Sequence, residues 1–224
     1  MTRLMLHADD ILRRRGLAAR PAEGGRALVW LAAAVLLFGI AYGTAMGVFG
    51  GVLGDRLWQV LYSAAKVPLL LLATFLIGLP SFFVLNTLLG LRRDLADAVR
   101  AVMATQAGLA IVLASLAPFT LLWYASSADY EAALRFNGLM FAAASLAGQA
   151  LLRGYYRPLV QRNPRHRWML WTWLAIYVFV GIQMAWLLRP FVGAPGSPVQ
   201  FLRREGWGNA YEVVAKLIYD AVAQ

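Results

Sequence analysis

Long apolar runs recur along this chain, and they restrict its possible folds more than any other feature. The clearest run is 168–188, which has 21 residues without an Asp, Glu, Lys or Arg and carries tryptophans near both ends. About 20 consecutive apolar residues are enough to cross the hydrocarbon core of a membrane as a helix. Tryptophans at both ends match the aromatic belts found at the two membrane surfaces. We therefore predict a transmembrane helix over 168–188.

Four further runs have a similar length and lie at 27–49, 67–89, 101–123 and 132–152. The last of them contains Arg135, Asn137 and Gln149, and its many small residues suit the interior of a helix bundle. Hydrophobic residues make up 61% of the chain and charged residues only 14%, whereas a soluble domain is nearer half apolar and a quarter charged. The sequence predicts an all-α polytopic bundle of five transmembrane helices within 27–188.

The charges between these runs predict how the bundle is oriented. The N-terminal segment and the two loops on its side of the membrane hold 14 basic and 5 acidic residues, against 7 and 6 on the other side. Because basic residues are retained on the cytoplasmic side, the N-terminus is predicted inside and the C-terminus outside. A four-span alternative with a re-entrant 132–152 segment puts a strongly basic loop outside, so we disfavour it. Richness in arginine and alanine favours a bacterial chain, and hence a bacterial inner membrane.

The residue types that catalysis or metal binding needs are scarce. The chain has no cysteine and only two histidines, His7 and His166, so thiol chemistry and a histidine-only metal site are excluded. The motifs of metalloproteases, serine hydrolases, nucleotide-binding loops and EF-hands do not occur. All carboxylates are predicted in loops or tails, and His166 is predicted to be an interfacial residue. We expect no enzyme activity, no metal and no cofactor.

The net charge of +10 raises the question of nucleic acid as a partner. In a membrane protein, basic loops first reflect topology and contact with anionic headgroups. No basic stripe belongs to a soluble module, so the expected partner is phospholipid and not nucleic acid.

The two terminal segments are predicted to lie outside the bilayer. In 1–26, apolar residues such as Leu4, Ala8 and Ile11 share one helical face, which predicts an amphipathic helix at the cytoplasmic surface. A solvated, partly frayed terminus is the alternative. In 189–224, a periplasmic segment rich in proline and glycine is followed by an amphipathic helix, whose N-cap is predicted at Asn209.

Four glycines at the end of the first span are spaced four residues apart, at Gly39, Gly43, Gly47 and Gly51. Glycines at this spacing share one face of a helix and allow another backbone to approach closely. They predict a helix-packing face of the glycine-zipper type. The spacing leaves open whether this face packs within one chain or between copies.

The second span, within 66–90, is interrupted in an unusual way. Pro68 is predicted in its first turn, where a missing N–H group costs nothing. Pro80 lies in the interior close to Gly78, which predicts a kink, and a gating role is the corresponding hypothesis. Asn86 needs a hydrogen-bond partner if it lies below the headgroups. The preceding connector, 50–65, is predicted to contain a separate interfacial helix.

Lys66 and Arg189 are cations at the outer ends of two spans, each close to a proline (Pro68 and Pro190). Extension of both side chains to lipid phosphates accounts for them. A sharper hypothesis is that they hold one lipid phosphate or one carboxylate of a partner together.

Two loops and a set of amides complete the predictions. Loops are expected at 92–100 and at 153–167, where Pro158 and Pro164 are expected to prevent one continuous helix. Amide side chains in the spans are expected to form hydrogen bonds between helices, and a polar path for a solute is the alternative. These are Asn86, Gln106, Asn137, Gln149 and Gln183.

Two motifs resemble a known group of proteins. They are KxP…LPxxxxNxxxG, which begins at Lys66 and ends at Gly90, and WLLRPFVGAP, which covers 186–195. Both are similar to those of a family of small, uncharacterised bacterial multi-pass proteins, some of which are grouped with Yip1-like membrane proteins. The resemblance implies a five-span protein and assigns no catalytic residue.

The sequence thus favours a non-catalytic scaffold or accessory subunit of a membrane complex. Its expected partners are phospholipid and either another membrane protein or further copies of the chain. The alternative is a transporter or channel for a small solute or a lipid that uses the second span with its kink at Pro80.

Overall fold

The computed structural model of this chain describes residues 2–13 and 24–202. Within these residues the chain forms six α-helices and one short 3-10 helix, and it has no β-strand. The helices are α1 (Thr2–Leu12), α2 (Gly24–Gly47), α3 (Arg56–Leu88), the 3-10 helix (Arg92–Asp94), α4 (Leu95–Ser126), α5 (Tyr130–Arg162) and α6 (His166–Leu188). The prediction of an all-α fold is confirmed.

Four of the described helical stretches are long and apolar enough to cross a membrane. They are Gly25–Gly47, Arg56–Leu88, Arg92–Ser126 and His166–Leu188. They correspond to four of the five expected spans. The remaining expected span, 132–152, lies within α5, which is a continuous helix but is not among these four.

The bundle is built around α2, which packs against both α3 and α4. On the outer sides of these two helices, α5 packs on α4 and α6 packs on α3. The helices α5 and α6 make few contacts with each other. The helices α3, α4, α5 and α6 therefore surround a space. On the side between α5 and α6, few contacts close this space.

Glycines allow α2 and α3 to approach each other closely. A Cβ atom at Gly43 would lie 2.3 Å from the backbone oxygen of Ser63, and one at Gly47 would lie 2.6 Å from the Cα atom of Val60. A Cβ atom at Gly39 would lie 3.1 Å from the Cβ atom of Pro68. This face therefore packs within the chain, where any side chain larger than hydrogen would push the two helices apart.

The fourth glycine of the ladder does not belong to this face. Gly51 follows the end of α2, has a φ of +109° and would have open space around a Cβ atom. Its prediction as a packing glycine is wrong because the helix ends first, and at Gly51 glycine instead permits a left-handed backbone.

The helix α3 begins earlier than expected. It runs without interruption from Arg56 to Leu88, so the predicted separate interfacial helix within 50–65 is wrong. Pro68 consequently lies in the interior of α3 and not in a first turn. Packing against α2 covers this part of α3, and tertiary contacts of this kind offset the hydrogen bond that a proline removes.

Two predicted loops are shorter than expected. Arg100 lies within α4 and is buried. Its guanidinium donates to the carboxylate of Asp97 and, at 3.3 Å, to the backbone oxygen of Ala96. Pro158 lies within α5, which continues to Arg162. Pro158 removes the helix donor to the carbonyl of Gly154, but the helix is held on both sides of it by the buried side chains of Tyr156 and Leu159.

The N-terminal amphipathic helix is present as α1, but it packs on the bundle. Ile11 is buried, and the Tyr155 hydroxyl of α5 donates to the backbone oxygen of Ile11. Arg13 and Asp9 form an exposed ion pair at 2.7 Å. The C-terminal helix predicted to begin at Asn209 lies outside the described residues.

Candidate functional site

A cavity of about 630 Å³ lies among α3, α4, α5 and α6. Its lining is mostly aliphatic and aromatic, with side chains such as Leu71, Leu109, Phe141 and Trp173. Small-molecule sites in proteins typically have volumes of about 300–1,000 Å³ and a predominantly apolar lining with a few polar groups. The cavity therefore has the size and character of a binding site for an apolar or amphipathic molecule.

The cavity opens sideways, between α5 and α6. Leu134, Gly138 and Ser145 of α5 line the cavity and are also exposed, and Val178 of α6 is exposed in the same way. The opening lies along the middle of α6, which is one of the four apolar helices long enough to cross a membrane.

Two amides in the cavity wall connect helices. The Tyr177 hydroxyl of α6 donates to Oε1 of Gln106 on α4 at 2.7 Å. Asn137 of α5 accepts from the Tyr42 hydroxyl of α2 at 3.2 Å and donates to the Tyr124 oxygen at 2.6 Å. The prediction that amides form hydrogen bonds between helices is confirmed for Gln106 and Asn137. Both also line the cavity together with Gln149.

One end of the cavity is formed by the segment 190–194, which follows α6 and runs across α3. Pro190, Phe191 and Val192 line the cavity, while their backbone oxygens accept hydrogen bonds from side chains. On α3 the donors form a row along one helix face, which we call the donor row. It consists of Arg56, Gln59, Ser63 and Lys66.

The donor row donates hydrogen bonds to almost every backbone oxygen of the segment 190–194. Lys66 Nζ donates to the oxygen of Pro190 at 2.6 Å, and Gln59 Nε2 donates to that of Phe191 at 3.2 Å, where the Ser63 hydroxyl also donates. Arg56 donates to the oxygens of Gly193, at 3.4 Å, and Ala194, at 3.0 Å. Buried carbonyl groups need such partners, so these contacts hold an irregular segment in a fixed place.

Two further residues complete this contact. The Tyr130 hydroxyl at the start of α5 donates to the oxygen of Val192 at 3.4 Å. Gly193 lies so close to α3 that a Cβ atom would be 2.8 Å from Cγ of Gln59. Glycine at 193 therefore allows the segment to reach the donor row.

Arg189 is the first residue after α6 and lines the cavity next to Pro190. Its guanidinium carbon lies 3.0 Å from the ring centroid of Trp186, one helical turn earlier. A guanidinium stacked on an aromatic face keeps its N–H groups directed outward in the guanidinium plane. The stack fixes the position of this charge at the end of the cavity.

The two predicted contact cations have different environments. Lys66 is fully buried and bound to the backbone oxygen of Pro190, so its predicted extension to lipid phosphates is wrong. A lysine with a carbonyl partner inside the protein has no need to reach the headgroups. The predicted joint clamp is therefore incomplete, and only Arg189 of the pair faces the cavity.

The predicted kink residues do not line the cavity. Gly78 makes room for Trp173, whose ring atoms would lie 3.1–3.2 Å from a Cβ atom at that position. Pro80 is on the exposed side of α3, which continues without a break through it. Asn86 is buried and donates from Nδ2 to the oxygen of Phe82 at 3.1 Å. The bend at Pro80 and its gating role stay predictions.

A polar cluster at the opposite end of the bundle joins α5, α6 and the 3-10 helix. His166 Nε2 lies 3.1 Å from a carboxylate oxygen of Asp94, and Arg162 lies 3.1 Å from Asp97. His166 is fully buried, and its prediction as an interfacial residue stays a prediction. Tyr156 packs edge-on against His166, and burial, with the Asp94 charge, raises the pKa of its phenol. The cluster connects α5 and α6 with the 3-10 helix and the start of α4.

The described ranges contain no group of three or more His, Cys, Asp or Glu side chains placed to hold a metal ion. Comparison with known proteins finds no matching family model, no matching curated protein and no matching solved structure. The resemblance of the two motifs therefore stays a prediction. The structure does place those motifs together, since Lys66 of the first contacts Pro190 of the second.

Sequence reasoning missed three members of the donor row, Arg56, Gln59 and Ser63. Their signal is present in the sequence, because intervals of three and four residues from 56 to 66 place all four polar side chains on one helix face. It was hidden by the assumption that a helix boundary separates Arg56 from Lys66.

Proposed function

We propose that this protein is a non-catalytic integral membrane protein that binds an amphipathic molecule from the bilayer in the cavity between α3, α4, α5 and α6. The observation that carries this proposal is the sideways opening of the cavity between α5 and α6. A small water-soluble solute is a poorer fit, because the lining is mostly apolar. The proposal agrees with the expected phospholipid partner and with the lipid-transporter alternative of the sequence.

We also propose a five-span topology in a bacterial inner membrane, with the N-terminus inside and the C-terminus outside. The helix α5 has 33 residues and is therefore about 50 Å long, which exceeds the apolar core of a bilayer at about 30 Å. It packs along α4, and its Asn137 has hydrogen-bond partners on α2 and α4. The charge bias of the loops supports the orientation.

The absence of catalysis is part of the proposal and rests on the chemistry of the lining. General acid–base catalysis needs a side chain such as His, Asp, Glu or Lys beside the reacting group. Among the described residues, those that line the cavity include none of these four types, and Arg189 is their charged side chain. This lining suits binding and orientation of a molecule and not proton transfer.

Cavity-filling variants test the proposal. A Cβ atom at Gly181 would point across the cavity, with its nearest neighbour, Cγ2 of Thr74, at 3.7 Å. The substitution Gly181→Leu should therefore occupy cavity space without a backbone clash. Gly25→Leu is the matched control, because Gly25 is also helical, has nothing within 4 Å of an added Cβ atom and lies outside the cavity.

The measurement is native mass spectrometry of protein purified in a mild detergent. Wild type and Gly25→Leu are expected to retain about one lipid-sized adduct per chain, while Gly181→Leu retains much less at the same thermal stability. Equal retention by all three proteins, or no retention by wild type, contradicts the proposal.

A scaffold or accessory subunit is the second candidate, and one observation favours it. The outer face of α6 is strongly apolar and exposed, with Trp168 74% and Phe179 60% accessible. It also carries a shallow groove between Trp171 and Ile182. Apolar residues facing lipid need no partner, but this groove has the shape to accept a helix of another membrane protein or of a second copy. A stable stoichiometric partner, crosslinked through Ala175→Cys, supports this candidate; crosslinking to lipid alone contradicts it.

A further inference from the structure

The cavity wall contains a neutral amide on α4 that has an unused donor. Gln106 is almost fully buried and lines the cavity. Its Oε1 atom accepts the hydrogen bond from the Tyr177 hydroxyl, and this contact fixes which way the amide is turned. Among the described residues, Nε2 of Gln106 has no hydrogen-bond partner, and it is not one of the polar atoms that protein encloses completely. The amide therefore presents an N–H donor group to the cavity.

This donor lies midway along the bundle. Tyr177, its neighbour, is the central residue of α6, which runs from His166 to Leu188. A helix rises about 1.5 Å per residue, so Tyr177 is about 17 Å from either end of α6. Arg189, the charged residue of the lining, follows the end of α6. Gln106 thus borders the uncharged middle of the cavity.

A second amide lies at a similar depth on α5. Gln149 lines the cavity, and among the described residues its side chain forms no hydrogen bond. A Cβ atom at the preceding residue, Gly148, would lie 3.4 Å from Cδ1 of Leu109. Because Leu109 is one helical turn from Gln106 on α4, the two glutamines lie within roughly 5 Å of each other along the bundle. Neutral amides therefore border the same part of the cavity from two helices.

We infer that the ligand of this cavity carries a neutral carbonyl group, whose oxygen accepts a hydrogen bond from Nε2 of Gln106. This inference rests on the proposed function and names the chemical class of the ligand at the same site. A carbonyl oxygen fits because it only accepts hydrogen bonds, so it brings no donor that needs a further partner. Quinones dissolved in the membrane and esters of neutral glycerolipids both contain such a group.

Other ligand classes fit this part of the cavity less well. A pure hydrocarbon would leave the N–H group of Gln106 without a partner in an apolar space, which costs free energy. A charged group beside Gln106 would lose its hydration without an opposite charge to replace it. A hydroxyl group brings a donor of its own, and Oε1 of Gln106 already accepts from Tyr177.

The test compares three molecules with the same carbon skeleton. They are decanophenone, the corresponding secondary alcohol, and decylbenzene, in which a methylene group replaces the carbonyl. An equimolar mixture is offered to the delipidated full chain, and the bound molecules are counted by native mass spectrometry. The variant Gln106→Met replaces the amide by an apolar side chain of similar size. Relative to this variant, wild type is expected to favour the ketone over decylbenzene about fivefold, which is the scale of one neutral hydrogen bond.

Infrared spectroscopy of isotope-labelled decanophenone gives a direct readout of the same contact. A hydrogen bond to the oxygen weakens the C=O bond, so the stretching frequency of the bound ketone should be lower in wild type than in decylbenzene solution. Gln106→Asn keeps an amide but shortens the side chain, and it should reduce this shift. The two spectra decide the question if Gln106→Met does not fold, and an unshifted carbonyl band in wild type overturns the inference.

The matched control is Gln183→Met, because Gln183 is an amide on α6 that does not line the cavity. It should retain both the wild-type preference and the infrared shift. A wild-type preference for the ketone that survives Gln106→Met overturns the inference. Binding of the alcohol or of decylbenzene by wild type as tightly as the ketone also overturns it.

The two natural sources of such a carbonyl are compared in the same way, with decylubiquinone and dioctanoylglycerol as probes. The probe whose binding falls in Gln106→Met identifies the source as a quinone or as a glycerolipid ester. If the binding of neither probe falls, the inference is wrong.

Failure of this inference can be told apart from failure of the proposed function. If wild type binds decanophenone and decylbenzene equally and Gly181→Leu binds neither, the cavity binds apolar molecules and only the recognition of the carbonyl is wrong. If wild type binds none of the probes, both proposals fail.

Discussion

The ammonium group of Lys66 donates to the backbone carbonyl oxygen of Pro190 at 2.6 Å and so connects α3 to a residue 124 positions later in the chain. Lys66 is fully buried, and its Nζ atom also lies 5.1 Å from the ring centroid of Phe201. The ammonium group thus has its partner inside the protein, and this contact holds the start of the segment 190–194 in place. This segment forms one end of the cavity, so Lys66 supports the site without lining it.

The first prediction concerns this contact. Lys66→Met should leave the oxygen of Pro190 without a donor and lower the free energy of unfolding by about 1–3 kcal/mol, the usual loss for a buried group left unpaired. The substitution should also make the segment 190–194 open more often to solvent. Because the chain has no cysteine, Val192→Cys gives a single labelling site that is fully buried in the folded protein. Maleimide should label Val192→Cys faster in the Lys66→Met background.

Arg135→Met is the control for this experiment, because Arg135 is exposed and far along the chain from the donor row. In the Arg135→Met background, the labelling rate of Val192→Cys should be the same as without this substitution. If Lys66→Met also leaves the rate unchanged, the contact with Pro190 does not hold the segment in place.

The second prediction concerns the close approach of α2 and α3. Gly43→Ala places a Cβ atom 2.3 Å from the backbone oxygen of Ser63, so the helices must separate. We expect a loss of about 1–3 kcal/mol, as for other overpacked sites. Gly25→Ala has open space and should be neutral or slightly stabilising, because alanine favours a helix more than glycine does. Thermal unfolding in detergent compares the two variants, and equal midpoints would contradict the packing role of Gly43.

The third prediction concerns the hydrogen-bond contact between Asp94 and His166. Replacement of Asp94 changes the partner of the fully buried His166, and replacement of His166 removes a partner of the partly buried Asp94, so a double-mutant cycle with Asp94→Asn and His166→Phe should show a coupling of about 0.5–3 kcal/mol. The exposed pair of Asp9 and Arg13 serves as the reference and should show much weaker coupling. Unfolding free energies in urea measure both cycles. A cycle with no coupling at Asp94 and His166 would mean that the two side chains act independently.

The fourth prediction concerns topology and uses the absence of native cysteine. Single cysteines are placed in three connections, as Ser127→Cys, Asn163→Cys and Ser197→Cys. In the five-span arrangement, a membrane-impermeant maleimide applied from outside should label positions 127 and 197 but not 163. A re-entrant α5 reverses the result at 163 and at 197, because α6 would then cross in the opposite direction.

Much of the fold was predictable because the relevant signals are local. The length of an apolar run and the tryptophans around 168–188 report on a helix in a membrane without reference to the rest of the chain. The glycine spacing at Gly39, Gly43 and Gly47 likewise predicted a packing face. Helix ends were harder to predict, as at Arg56 and Arg100, because tertiary contacts extend a helix past residues that favour loops.

The site itself was less predictable. Arg189 was identified from the sequence as a contact residue, and Gln106 and Asn137 as groups that bond between helices. Their gathering around one cavity was not predictable, since it depends on which helices are neighbours. The order of apolar runs in a sequence does not specify that α5 packs on α4 while α6 packs on α3.

The sequence by itself determined that this is an all-helical chain with several segments able to span a membrane, because hydrophobic length and charge distribution act residue by residue along the chain. The tertiary structure decided which surroundings each polar side chain has. Lys66 and Arg189 have the same charge and similar sequence surroundings, yet one binds a backbone carbonyl inside the protein and the other faces a cavity. The reason is physical: a buried polar group takes the nearest partner in space, and for Lys66 that partner is Pro190, brought close only by the packing of α6 on α3.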